Sequence, residues 1–285
     1  MIVNVVKAGL YSTLQDGGRV GYAHEGIPQG GAMDLENYEL CNSILGNDTS
    51  EPVIECTMMG PTISFDSPAV IAITGSDLSP AINRIPMMLH RPTSVNTGDQ
   101  LSFGRLKYGC RCYIGVAGKW EVKRWQGSVS PLIYGDVLTE NILKKGAKIE
   151  IKTELNGSHP IVEIDKETYQ DSPHQLELFK GPEYDLFSKE LIQEFLSARY
   201  TVNNASNRMG YRLDGFKLDT THLPPMVSSG VLPGTIQITS AGTPIILGRD
   251  AQTIGGYPRI GILTETSLNQ MAHMKPNDQV TFKLT

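Results

Sequence analysis

Three blocks of this 285-residue sequence occur twice, in the same order, and this duplication limits the fold more than any other feature. "GRVGY" (Gly18 to Tyr22) returns as "NRMGY" (Asn207 to Tyr211). "PTISFDSPAVIAITGSD" (Pro61 to Asp77) returns as "GTIQITSAGTPIILGRD" (Gly234 to Asp250), with Thr-Ile and the closing Gly-x-Asp in step and no gap. "TGDQLSF" (Thr97 to Phe103) returns as "PNDQVTF" (Pro276 to Phe282). Chance accounts for any one match. Three in order predict a tandem duplication, with the first domain over residues 1–155 and the second over 156–285. Two homologous domains facing each other would enclose a cleft, a common place for a small-molecule site. The polar stretch "TELNGSHPIVEIDKETYQDSPHQ" is expected to carry the connection, with a strand in "PIVEI".

The repeated blocks are themselves strand-like. Short β-branched runs such as "IVNVV", "AVIAIT", "TIQIT" and "QVTFK" alternate with turns supplied by 29 glycines and 17 prolines. The fold class expected is mainly β with a few helices, built as barrels or sandwiches. One helix should follow Asp34, with Leu35, Tyr38, Cys41 and Leu45 on one face and a stop at Gly46. A second is predicted in "DLFSKELIQEFLSARY", presenting Leu191, Ile192, Phe195 and Leu196, and a weaker third in "ETSLNQMAHM".

Net charge of −5 argues against a nucleic-acid or anionic-membrane partner. No apolar run approaches a membrane span, and "MIVNVVKAG" lacks the basic region of a signal peptide, so a cytoplasmic location is expected. Four cysteines without a C-x-x-C pair read as free thiols in a reducing compartment, and no metal site is expected.

Neither the Walker pattern nor a dinucleotide fingerprint is present, and there is no G-x-S-x-G or H-E-x-x-H motif. Polar chemistry concentrates instead in two glycine-rich regions. "LQDGGRVGYAHEGIPQGGAMD" carries Asp16, Arg19 and His24, and glycines this dense permit close backbone approach to a ligand. The alternative for this block is structural, with Asp16 and Arg19 paired and Asp34 capping a helix. "NRMGYRLDG" brings Arg208, Tyr211 and Arg212. "GVLPGTIQI" brings Gln237, which strand alternation sets opposite to Ile236 and Ile238. "GRDAQTIGGYPRIG" brings Asp250, Gln252, Thr253 and Tyr257. Guanidinium, carboxylate, amide and hydroxyl groups in such loops suit a small molecule with an amide and a carboxylate.

The blocks "LQDGGRVGY…GIPQGGAMD", "NRMGYRLDG", "GVLPGTIQI" and "PIILGRDAQTIGGYPRIG" resemble the hallmarks of the biotin-dependent carboxyltransferase family, also called allophanate hydrolase subunit 2 or KipA-like. The resemblance runs from about Val6 to Phe282. Departures include Lys119, where the family tends to have a second glycine, and Ser228–Ser229, where many members carry an acidic residue. The resemblance implies two tandem, homologous cyclophilin-like β-barrel domains.

Three functions follow from it as expectations. The first is the C subunit of an ATP-dependent 5-oxoprolinase, working with a KipI-like B subunit together with an A subunit. ATP would then be bound mainly by one of those companions. This function is favoured because the sequence shows no biotin-carrier or biotin-carboxylase segment. The second is transfer of a carboxyl group from carboxybiotin to urea or a related amide. The third is KipA-like regulation through binding of a KipI-like kinase inhibitor. For the site, Asp16, Asp250 and Tyr257 are the catalytic candidates. Arg19, His24, Arg208, Tyr211, Arg212, Gln237, Gln252 and Thr253 are the substrate-binding candidates.

Overall fold

The computed structural model describes residues 1–132, 134–152 and 172–285, so the strand expected in "PIVEI" lies outside the described residues. The chain divides into two compact units, Met1–Arg19 with Asp34–Tyr169, and Val20–Met33 with Gln170–Thr285. Strands dominate both, and the described residues include three α-helices.

The first unit contains β1 (Ile2–Lys7), β2 (Tyr11–Gln15), β3 (Val53–Thr57), β4 (Thr62–Phe65), β5 (Ala69–Gly75) and β6 (Pro80–Ile82). It continues with β7 (Ile85–Pro86), β8 (Thr93–Val95), β9 (Gln100–Phe103), β10 (Arg111–Val116), β11 (Lys119–Glu121) and β12 (Lys148–Lys152). They form a seven-stranded sheet, β11-β12-β1-β4-β9-β6-β7, and a five-stranded sheet, β2-β3-β10-β5-β8. Alternation builds the core between them. Val3, Ile63 and Leu101 from one sheet and Ile54, Ile73 and Ile114 from the other join one buried cluster.

The other face of the five-stranded sheet carries Glu55, Thr74 and Tyr113, and it supports helix α1 (Leu35–Leu45). Asp34 caps α1 by accepting from the Asn37 amide at 3.1 Å, and Gly46 ends it at φ 66°. Gly115 of β10 is required beneath the helix, since a Cβ there would lie 2.6 Å from Leu45 Cδ1 and 2.7 Å from Cys41 Sγ. All four cysteines are buried free thiols. Burial pushes the Cys41 thiol up to about 12. A hydrogen bond with Cys56 and burial raise Cys112 well above its ordinary value, which keeps it protonated and unreactive.

The second unit is a closed barrel of β13 (His174–Lys180), β20 (Arg259–Leu263), β17 (Thr235–Ile238), β18 (Pro244–Leu247), β15 (Gly210–Asp214), β14 (Tyr200–Val202) and β21 (Gln279–Leu284), in that order. Leu176, Tyr211, Ile236, Ile246, Ile260 and Val280 fill it. Helix α2 (Lys189–Ser197), capped by Ser188, adds Phe195, whose ring stacks on Phe282 at 4.8 Å. Helix α3 (Glu265–Met271) is capped by Thr264. A separate two-stranded ribbon joins β16 (Ser229–Gly230) to β19 (Ile254–Gly255).

Two of the three repeated blocks fall at corresponding elements, β4–β5 against β17–β18 and β9 against β21, whereas "GRVGY" forms no strand where "NRMGY" opens β15, and the matched elements pair differently. In the second unit β17 and β18 are hydrogen-bonded neighbours. In the first, β4 and β5 lie in different sheets. No helix among the described residues is long and apolar enough to cross a membrane.

Candidate functional site

Strand β17 sorts its side chains by alternation: Ile236 and Ile238 enter the barrel core, and Gln237 points to the outer surface. Register extends that outer position across the sheet. Arg212 of β15 is opposite Ile245 of β18, Ile245 is opposite Gln237, and Gln237 is opposite Arg259 of β20. Strands about 4.8 Å apart therefore set two arginines on either side of one amide in a single outward row.

Ribbon β16–β19 covers the middle of this row. Gln237 is buried although it faces outward, and its Nε2 donates to the Tyr257 carbonyl at 3.3 Å. Gly255 makes the cover possible, because a Cβ there would collide with Gln237 Nε2 and lie 3.1 Å from Val231. Val231, Leu247 and Ala251 form a small apolar cluster, with Ile245 packed on it.

Arg259 fastens the ribbon to the barrel. Its Nε and Nη2 donate to the two Glu183 carboxylate oxygens at 2.7 and 2.6 Å, and its Nη1 donates to the Gly230 carbonyl at 2.8 Å. The hydrogen bonds from Arg259 hold the Glu183 carboxyl below the usual range. Arg212, at the other end of the row, is exposed, and its guanidinium has no partner among the described residues.

A second polar centre in this unit holds the glycine-rich segment. Arg208 Nε and Nη2 fork onto Asp250 at 2.7 and 2.8 Å, and Nη2 also donates to the Gly31 carbonyl at 2.6 Å. The Gly30 amide donates to the Arg249 carbonyl at 2.9 Å, and Arg249 pairs with Glu265. The Arg208–Asp250 pair is nearly closed to water, with side chains 5% and 11% exposed.

The predicted site residues thus separate. Gln237, Thr253 and Tyr257 gather at the ribbon, where the Thr253 carbonyl accepts from the Val231 amide and Tyr257 is 43% exposed. Arg212 shares their row, and Gln252 is exposed beside Thr253. Arg208 and Asp250 bind each other. Tyr211 is a barrel-core residue, and His24 is exposed on a short turn next to Glu25.

Asp16 and Arg19 belong to the first unit. Asp16 accepts from the Gly18 and Val129 amides at 2.9 and 2.8 Å, from Ser128 Oγ at 2.6 Å and from Arg124 at 3.4 Å. Arg19 is buried, donates to the Ser130 carbonyl and lies 5.3 Å from the Trp125 ring centre.

Sequence comparison matches residues 25–284 to the family described as carboxyltransferase domain, subdomain A and B. The chain belongs to this family. Its carboxyltransferase-domain relatives include the C subunit of 5-oxoprolinase from Escherichia coli K12, 30% identical over 99% of this chain and 90% of the relative. Urea amidolyase of Saccharomyces cerevisiae is 32% identical over 98% of this chain, which spans 16% of that much longer protein. Among solved structures, urea carboxylase of Kluyveromyces lactis superposes with a TM-score of 0.88 at 26% identity, over 99% of this chain and 27% of that one.

Arg259 of this carboxyltransferase-domain chain escaped sequence reasoning, although it sits inside "GGYPRIG". Its signal is its partner, and Glu183 is 76 positions away in an unrelated segment. The buried pair of Glu55 and Arg111 was missed for the same reason. In that pair each residue belongs to a strand that otherwise reads as apolar.

Proposed function

We propose that this chain is the C subunit of an ATP-dependent 5-oxoprolinase, acting in the cytoplasm with the A and B subunits to open 5-oxoproline to glutamate. The observation that carries this reading is the end-to-end match with the E. coli C subunit, which extends over 90% of that protein's own length. The lactam amide is resonance-stabilised, and ATP coupling supplies the activation that makes its ring carbon electrophilic. ATP is assigned to a companion protein of the complex.

In this reading the outward row of the barrel binds the substrate. Arg212 takes the carboxylate by a fork of two hydrogen bonds. Gln237 recognises the lactam amide once the ribbon lifts, and Thr253 and Tyr257 close over it. Asp250 is an orienting group, because Arg208 occupies both of its oxygens. Glutamate release from 5-oxoproline should require this chain, the A and B subunits, and ATP. Arg212→Ala should raise KM about 10- to 100-fold with kcat within threefold, as expected for loss of uniform binding. An unchanged KM would remove Arg212 from the site.

A second reading is supported by the family description and by the urea amidolyase relative. Here the chain would transfer a carboxyl group from carboxybiotin, carried on another protein, to urea or a related amide. Avidin-sensitive incorporation of bicarbonate, without glutamate release, is its signature. Tight binding of a KipI-like partner with neither activity would leave the regulatory role.

A further inference from the structure

The ribbon over Gln237 is built as a flap. Strands β16 and β19 pair over two residues each and stand as a sheet apart from the barrel. Both ends of the flap are tied down. At one end the Leu232 amide donates to Thr235 Oγ1 at 3.2 Å, and the Thr235 amide donates to the Leu232 carbonyl at 3.1 Å. At the other the Ile238 amide donates to the Pro258 carbonyl at 2.9 Å. Little apolar surface holds the part between these anchors. Ile254 is 59% exposed, and the packing is supplied by Val231 against Leu247 and Ala251.

The closed flap occupies the group that it covers. Gln237 Nε2 donates to the Tyr257 carbonyl at 3.3 Å. That acceptor is an amide carbonyl, the same chemical group that a lactam offers. The two cannot bind together in this arrangement, because even a Cβ on Gly255 would collide with Gln237 Nε2. A ligand carbonyl reaches this N–H only after the flap has moved, and closure over bound substrate needs a different flap position.

Arg259 sets how firmly the flap is held. Its fork onto Glu183 fixes the guanidinium plane, and that plane aims Nη1 at the Gly230 carbonyl at 2.8 Å. Gly230 is exposed, so water takes over this bond when the flap lifts. The arginine is thus fastened tightly at the barrel end and releasably at the flap end.

We infer that the Arg259–Gly230 contact is an autoinhibitory latch, which keeps the flap shut on Gln237 until an amide carbonyl of the substrate replaces that of Tyr257. The ligand rests on the 5-oxoprolinase reading, and the latch rests on the geometry. A latched population lowers apparent affinity in proportion to the fraction of molecules that are open. Loosening the latch should therefore tighten substrate binding, the reverse of what damage to a binding site does.

Two measurements test this. Solvent exchange of the Gln237 side-chain amide, followed by NMR on the full chain labelled with ¹⁵N-glutamine, reports opening. Kinetics of the chain mixed with the A and B subunits report KM and kcat for 5-oxoproline. Arg259→Lys keeps a cation beside Glu183 but lacks the rigid fork. It should quicken the exchange about fivefold, and KM should fall about threefold with kcat nearly unchanged. Val231→Ala removes apolar anchorage without touching Arg259 or Gln237, and should act in the same direction to a lesser degree. It keeps the test decisive if Arg259→Lys weakens the barrel.

If the wild-type mixture is active and both variants keep wild-type exchange and KM, the 5-oxoprolinase reading stands and the latch is wrong. Faster exchange with a raised KM would show that the contact assists binding, which overturns autoinhibition. If the wild-type mixture releases no glutamate, the 5-oxoprolinase reading fails and the assigned ligand falls with it, while exchange alone decides whether Arg259 holds the flap.

Discussion

The two copies of the Gly-x-Asp motif share a glycine for the same reason and use the aspartate for different ones. At Gly75 an added Cβ would lie 2.7 Å from the Arg111 carbonyl, and at Gly248 it would collide with the Arg208 carbonyl. Both copies therefore need backbone to approach backbone. After that they diverge. Asp250 receives a bidentate fork from a buried arginine, which also holds the Gly31 carbonyl. Asp77 receives one ammonium, Lys107 Nζ at 2.9 Å, from a side chain that is 63% exposed, together with the Ser79 amide at 2.6 Å. The same sequence block ends in a carboxylate that is 11% exposed and paired with a buried guanidinium in one unit, and in a carboxylate that is 16% exposed and paired with a solvent-exposed ammonium in the other. Energetic weight follows burial and partner, and the motif alone sets neither.

Asp250→Asn should break that comparison most strongly. It removes the carboxylate charge onto which the buried Arg208 guanidinium forks, and breaking a buried pair of this kind typically costs about 3–5 kcal/mol. Hydrogen exchange should show the loss in β15 and β18 and at Gly30–Gly31. Both tryptophans, Trp120 and Trp125, belong to the first unit, so its unfolding can be followed separately by their fluorescence and should be unchanged. Exchange rates equal to wild type in β15 and β18 would mean that the pair is not the anchor of that segment.

The legibility of the two regions differs for a related reason. Helix α1 could be bounded from sequence because its determinants are local: a cap at Asp34, a stop at Gly46 and an apolar stripe between them. The outward placement of Gln237 followed from alternation alone. Pairings between distant segments could not be read. Arg208 meets Gly31 across 177 positions and Arg259 meets Glu183 across 76, and no periodicity encodes either. The duplication predicts which elements recur, but it carries no information on pairing, and β4 and β5 part company where β17 and β18 remain neighbours. The sequence also offered Arg19, Arg208 and Arg212 as equals. Burial distinguishes them, and only Arg212 is left exposed with its guanidinium unpartnered among the described residues.

The Glu183–Arg259 clamp gives the second unit an acid-sensitive element of intermediate size. Arg259 depresses the Glu183 carboxyl, so the folded state binds its proton less readily than the unfolded chain does. That contribution is present above the ordinary glutamate value of about 4.3 and is lost as pH falls through the lower folded value. Barrel stability should therefore decline on acidification below about pH 4.3. Glu183→Gln should cost about 1–2 kcal/mol at neutral pH and make the acid decline shallower. Some decline should persist because Asp278 is also held below its usual range. Burial pushes it up, but hydrogen bonds from His174 and Lys275 outweigh that effect. An acid limb as steep in Glu183→Gln as in wild type would show that the clamp carries no proton linkage.

Lys107→Met tests the other end of the comparison and should do least. The Lys107 ammonium is largely hydrated already, and holding a flexible side chain against Asp77 costs rotamer entropy, so an exposed pair of this kind contributes about 0–1 kcal/mol. Asp77 keeps the Ser79 amide after the substitution, so its partly buried carboxylate retains a hydrogen-bond donor. Tryptophan-monitored unfolding should shift by less than about 1 kcal/mol, and most of that shift should vanish in high salt. A loss approaching that of Asp250→Asn would mean that the Gly-x-Asp motif fixes its own energetic weight in both units, and burial would then no longer explain their difference.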